Sequence, residues 1–204
     1  MPSSRSIVQL PKFLSVAVGL LLVIAANPAK AFETVIIDPG HGGMDAGAYW
    51  YGIKEKDLTL DLGLMVEELL KERGIKVVLT RRTDTPVTLD ERAKIANKHT
   101  DAIFVSLHFN AVVSKEISGI ETYYLSDEGR KLASMVQTEL TRRINTKNRG
   151  VKKNSLKVLR LTKCTAILIE GGFLSNRWEN QRCSAKWYRQ ILAEEIVEGI
   201  MRYR

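Results

Sequence analysis

Cysteine is scarce, with only Cys164 and Cys183 in 204 residues. No CxxC pair occurs, which excludes a thiolate-closed zinc site and a disulfide-dense scaffold. The two thiols leave two readings open, one bridge formed after export or two free buried side chains. Aromatic residues make up only 7%, too few for an aromatic platform that grips polysaccharide. No basic tract is interleaved with aromatics, so a nucleic-acid partner is set aside. Repeats, low-complexity tracts and long linkers are absent. No apolar run reaches the ~20 residues that cross a bilayer core.

What remains is ordinary globular composition, 45% hydrophobic and 26% charged, enough for one domain with a sizeable core. Residues 1–31 have the form of a cleavable secretory signal peptide. Arg5 and Lys12 open it, residues 13–26 are almost wholly apolar, and Asn27-Pro28 breaks the run. Ala29 and Ala31 then present small side chains for cleavage after Ala31. The expected destination is the periplasm or the cell exterior, with no lasting membrane anchor. Removing Arg5, Lys12 and Lys30 with that acid-free segment takes the formal charge from +8 to +5. That modest excess favours an anionic partner without choosing one.

From Thr34 to Arg204 strand and helix signals alternate. Residues 34–38, 75–80, 101–108, 119–125, 156–160 and 165–170 are read as strands. Residues 56–73, 89–98, 127–146 and 186–202 carry helical periods. Lys71 and Arg73 suit a helix C-terminus, and Gly74 suits the left-handed residue beyond it. This order predicts a single α/β domain over 32–204, a mostly parallel mixed sheet with helices on both faces.

In such sheets ligands bind beyond the carboxyl ends of strands. Three strands deliver polar side chains there, at Asp38-Pro39-Gly40-His41, at His108-Phe109-Asn110 and at Glu170-Gly171-Gly172. Glu55 opens the first long helix on the same rim. His41, Glu55 and His108 make a two-histidine, one-carboxylate set, a recurrent catalytic zinc arrangement with an open fourth position; manganese or iron would also accept these ligand types. Asp38 and Asn110 are candidates to orient the ligands from behind. His99, ending a short helix, is read as a partner for that helix terminus. Glu170 stands out because a carboxylate directly after Ala166–Ile169 is not placed there by solvation alone.

These residues fall in VIIDPGHGGMDAGA (35–48), KEKDLTLDL (54–62), TRRTDTPVTLDERAKIAN (80–97), VSLHFNA (105–111) and IEGGFLSN (169–176). Together they resemble the zinc-dependent N-acetylmuramoyl-L-alanine amidases of the amidase 3 type. The resemblance runs from about Thr34 to about Gly199. It implies that His41, Glu55 and His108 hold one Zn2+ and that Glu170 is the catalytic glutamate. It implies peptidoglycan as the substrate, cut between the lactyl group of N-acetylmuramic acid and L-alanine. Arg92 matches a family arginine, as a structural or substrate contact. Phe109 stands where a small residue is common, which predicts a narrowed cleft. Only 62 positions separate His108 from Glu170, so the long helical insert that plugs the metal in some members is not expected, and the chain is expected to act as a monomer. Three rivals are a zinc peptidase cutting within the stem peptide, an inactive wall-binding module, and a phosphate-binding protein using the glycine loop. The last is disfavoured by Asp38 and Glu55, which would repel phosphate.

Overall fold

A computed structural model describes residues 32–204. The segment read as a signal peptide, residues 1–31, lies outside the described residues. The elements run β1 (Thr34–Pro39), β2 (Tyr49–Trp50), β3 (Ile53–Lys54), α1 (Glu55–Glu72), β4 (Lys76–Leu79), α2 (Leu89–Ala96), β5 (Ala102–Asn110) and β6 (Ile120–Tyr124). They continue as α3 (Asp127–Arg143), β7 (Asn148–Lys153), α4 (Lys157–Leu161), β8 (Thr165–Phe173), α5 (Arg177–Ser184) and α6 (Lys186–Tyr203). A six-stranded sheet has the order β4-β1-β5-β8-β6-β7. All neighbours in it are parallel except β6 and β8. The single α/β domain expected from the sequence is what the chain forms.

Alternate residues of a strand point to opposite faces, and the two faces are covered unequally. Val35, Ile37, Val105, Leu107, Ile167 and Ile169 pack beneath the three long helices α1, α3 and α6. Ile36, Phe104, Ala166 and Leu168 form a smaller cluster on the other side, roofed by Ala96 of α2 and by Val158 and Leu159 of α4. Both roofing helices are short, so the sheet beyond them is left open for polar side chains. Helix α1 ends as the sequence predicts. Gly74 adopts φ 72°, its N–H bonds to Lys71, and Ile75 N–H reaches Leu70, a paired closure that satisfies the last carbonyls. Helix α2 begins with a reciprocal cap between Thr88 and Glu91.

The structure departs from the sequence reading at one strand, adds a helix and a hairpin, and decides between the two cysteine readings. Residues 156–160, read as a strand, lie in and just before helix α4. The strand of that region is β7, a polar segment on the sheet edge, where charged side chains meet solvent and discourage pairing with another chain. Neither α5 nor the β2–β3 hairpin was expected. The hairpin turns on Tyr51 and Gly52, both at positive φ, where Asn or Asp normally signals the turn. Finally, Cys164 and Cys183 are both free. Cys164 precedes β8, whereas a Cβ on Gly172 near the far end of that strand would lie 2.7 Å from Cys183 Sγ. At about 3.3 Å per residue, the strand holds the two thiols far beyond disulfide reach. Among the described residues, no helix is long and apolar enough to cross a membrane.

Helices α3 and α6 come into close contact at Gly199, where a Cβ would sit 2.5 Å from Val136 Cα. Alanine is ordinarily the better helix former by about 1 kcal/mol. Here the clash reverses the sign. Gly199→Ala should destabilise the domain by about 2 kcal/mol, read as a lower urea midpoint at an unchanged m-value.

Candidate metal centre

Paired residues of adjacent strands share a face, and the open face carries a polar row. His108 of β5 pairs with Glu170 of β8, and Glu170 pairs in turn with Glu121 of β6. Nearer the roofed half, Asp38 pairs with Ser106. His108 and Glu170 of this row line a cleft of about 510 Å³ together with His41, Glu55, Tyr123 and Asn154.

His41 reaches this cleft from the loop after β1, at φ 62°, a left-handed conformation that costs a non-glycine residue about 1 kcal/mol or more and persists only where the surroundings enforce it. Two buried guanidinium groups enforce it. Arg81 donates to the carbonyls of Pro39, Gly40 and Lys56. Arg92 donates to the carbonyls of Pro39, His41 and Val87 and to Asp38. A bridge between Gly42 and Asp45 closes the turn. Gly40 cannot carry a side chain, because its Cβ would lie 2.3 Å from the His108 ring. Gly47, at φ 64°, would place a Cβ 2.6 Å from Glu55 Oε2.

Glu55 lies between the two imidazoles. Its Oε1 is 2.8 Å from His108 Nδ1 and accepts the Phe109 N–H. Its Oε2 is 3.1 Å from His41 Nε2 and accepts the Ala48 N–H. Burial alone would raise this carboxyl, but the bonds from His108 and His41 hold it far below the usual carboxylate range. The other nitrogen of His41 faces Asp45 Oδ2 at 2.8 Å. Burial opposes the charged His41 ring, yet Glu55 and Asp45 outweigh it and raise the imidazole pKa. One donor atom from each of His41, Glu55 and His108 lies within 4.8 Å of the others. Two imidazoles and a carboxylate this close fit a divalent ion such as zinc with a coordination position to spare.

Glu170 faces the same cleft. Its Oε2 is buried without a hydrogen-bond partner among the described residues. Burial, then the negative charges of Glu55 and Glu121, push its carboxyl well above the ordinary range. Glu121 differs in being well satisfied. Lys152, Tyr123 and Arg149 bond to it and outweigh its burial, so its pKa is lowered.

The sequence-predicted residues separate into two groups. His41, Glu55 and His108 converge, and Glu170 stands beside them. Asp38 does not touch the three; it accepts bonds from Thr80, Arg92 and Ser106 beneath the loop. Asn110 bonds to Glu121 and to the Ala111 N–H, not to the imidazoles. Arg92 is buried and donates to Asp38 and to the carbonyls of Val87, Pro39 and His41, a position that braces the loop. Phe109 points into the long-helix core at 1% exposure, so its ring does not narrow the cleft. Sequence reasoning missed Asp45, Arg81 and Glu121. Asp45 had one available signal, its place four residues after His41 on a glycine-rich turn.

A raised Glu170 pKa means that the folded chain holds this proton more tightly than the unfolded one. Its contribution is therefore full below the ordinary value of 4.5 and is lost as pH rises through the folded value. In chelator-treated protein, Glu170→Gln should raise the melting temperature at pH 7.5 by about 3–6 °C, the effect of relieving a buried unpaired group. At pH 4 the two proteins should melt together. Equal melting at both pH values would mean that the carboxyl is solvated.

A family profile described as N-acetylmuramoyl-L-alanine amidase matches residues 35–202. The Bacillus subtilis protein YqiI is 39% identical over 91% of this chain and 93% of its own length. The N-acetylmuramoyl-L-alanine amidase LytC of Bacillus subtilis is 34% identical over 87% of this chain, which spans 36% of LytC. Among solved structures, the N-acetylmuramoyl-L-alanine amidase AmiC2 of Nostoc punctiforme superposes with a TM-score of 0.81 at 39% identity, over 83% of this chain and 96% of that one. With the profile spanning nearly all of the described residues and whole-domain relatives above 30% identity, the chain belongs to the N-acetylmuramoyl-L-alanine amidase family of the amidase 3 type.

Proposed function

We propose that the protein is an exported, zinc-dependent cell-wall amidase that hydrolyses the bond between the lactyl group of N-acetylmuramic acid and L-alanine of the peptidoglycan stem peptide. One observation carries this reading. A two-histidine, one-carboxylate donor set and an unpartnered, proton-avid carboxyl share one open cleft. LytC and AmiC2, both named for this activity, supply the substrate by relationship. The signal-like segment at residues 1–31 supports action outside the cytoplasm.

His41, Glu55 and His108 would hold the ion. When bound, it supplies positive charge that polarises a carbonyl and makes water more acidic. The residues of the chain do the rest. Glu55, gripped by the Ala48 and Phe109 amides, keeps both rings aimed at one point. Asp45 fixes the His41 tautomer, leaving Nε2 free to donate its lone pair. Glu170, which a cation held beside it would favour in the ionised form, takes a proton from the attacking water and returns it to the departing amine nitrogen. Without that transfer the amine is a poor leaving group, so the carboxyl is required for turnover and not for metal capture.

Glu170→Ala should retain one zinc per chain and lose about 10²-fold or more in turnover on purified peptidoglycan. His41→Ala and His108→Ala should lose metal and activity together. Elemental analysis beside the activity assay, with and without chelator, checks both statements. A Glu170→Ala enzyme of near-normal rate defeats the assignment. Mass analysis of the products separates an amidase, which frees intact stem peptides, from a peptidase, which shortens them. Asp45→Ala should keep the fold and weaken zinc binding by about tenfold, measured by competition with a chromogenic chelator.

A further inference from the structure

Between Glu139 and Glu170 the chain has no acidic residue and nine basic ones. Some are neutralised elsewhere. Arg142 and Arg143 pair with carboxylates of α3 and α6, and Lys157 pairs with Asp90. Arg149 and Lys152 are different. Lys152 pairs in register with Tyr123 of β6, whose own neighbour on β8 is Leu168, so it stands on the open face of the sheet. Arg149 Nε and Lys152 Nζ both donate to the same oxygen of Glu121, at 2.7 and 2.5 Å. Tyr123 and Asn110 occupy the other oxygen. One buried carboxylate therefore meets two cations, and a full positive charge is left over. It is accessible, since Arg149 is 22% and Lys152 39% exposed.

We propose that this surplus charge at the β7 margin binds a carboxylate of the stem peptide, on the residue following L-alanine. The proposal rests on the amidase reading and adds to it a specificity element. Reach agrees with it. Strand β7 lies two strands from Glu170, about 10 Å at the usual interstrand spacing. A peptide extended by about 3.5 Å per residue spans that gap with the second residue and its acid group. The residues between Glu170 and β7 are also suitable, because Tyr123, Asn154 and Leu156 line the cleft and offer a surface along which a peptide can lie. Lysines on an edge strand often serve only to block pairing. These two cations instead share an acid that pairs with Glu170, and Lys152 Nζ stands 6.0 Å from the centre of the Tyr123 ring that lines the cleft.

The test uses two substrates that differ in one group. They are N-acetylmuramoyl-L-alanyl-γ-D-glutamyl-L-lysinamide and its counterpart with the glutamyl α-carboxylate replaced by a carboxamide. The wild-type protein should favour the carboxylate by about fivefold in kcat/KM, expressed in KM, as suits a half-exposed charge contact. The preference should shrink in 0.5 M salt. Lys152→Gln leaves Arg149 to satisfy Glu121 and should bring the ratio close to one with kcat unchanged. Calorimetric binding of both compounds to Glu170→Gln protein should show the same preference without turnover. If neither compound is cleaved, the amidase reading falls while the binding ratio still judges this site. Equal values for the two compounds, or a Lys152→Gln protein that keeps the preference, overturn the proposal.

Discussion

Two buried guanidinium groups support everything the cleft does. Arg81 and Arg92 take hold of successive backbone carbonyls from Pro39 to His41, and that grip helps keep His41 in a conformation it would not adopt alone. A buried arginine is costly unless every donor finds an acceptor. Here the acceptors are main-chain oxygens of a loop that has no regular structure of its own, so each satisfies a need of the other. Asp38 completes the arrangement from below, balancing the charge of Arg92 in a pair that is almost wholly buried. The loop is thus tied at successive carbonyls to buried side chains, and the His41, Glu55 and His108 donor atoms lie within 4.8 Å of one another.

The central strands were legible because their signals agree. Residues 101–108 and 165–170 are apolar runs that stop on His108 and Glu170, and in-register pairing then places those side chains next to each other. Helix α1 was legible from its apolar face and the glycine beyond it. The misplaced strand at 156–160 has an equally plain cause. A short apolar run reads alike as strand or helix, while the true strand, residues 148–153, is mostly charged because it lies on an edge. The second layer of the site was less legible still. Asp38 sits at the end of the right strand but serves the loop, and the imidazole partner is Asp45, an exposed acid on a turn with no periodic pattern to mark it. Arg81 lies in a run of polar residues where nothing distinguishes a buried guanidinium from a solvated one.

The cleft follows from unequal roofing. Three long helices seal one face of the sheet, and two short ones seal half of the other. The uncovered half is where Glu121, Glu170 and His108 can stand in a row without being driven apart by apolar packing. The electrostatics then grade across the strands. Toward β5 the row meets imidazoles, in the middle it carries a carboxyl that resists ionisation, and toward β7 it meets cations that hold Glu121 ionised. Neighbouring carboxyls on adjacent strands thereby have opposite protonation preferences.

The separation of Cys164 from Cys183 along β8 has a consequence for how the chain reaches this state. With no covalent staple between distant segments, acquisition of the native shape requires no oxidant and no shuffling of sulfur partners. The domain can assemble in a compartment of either redox poise. Its cohesion comes from packing and polar contacts alone, and a reducing agent leaves it intact.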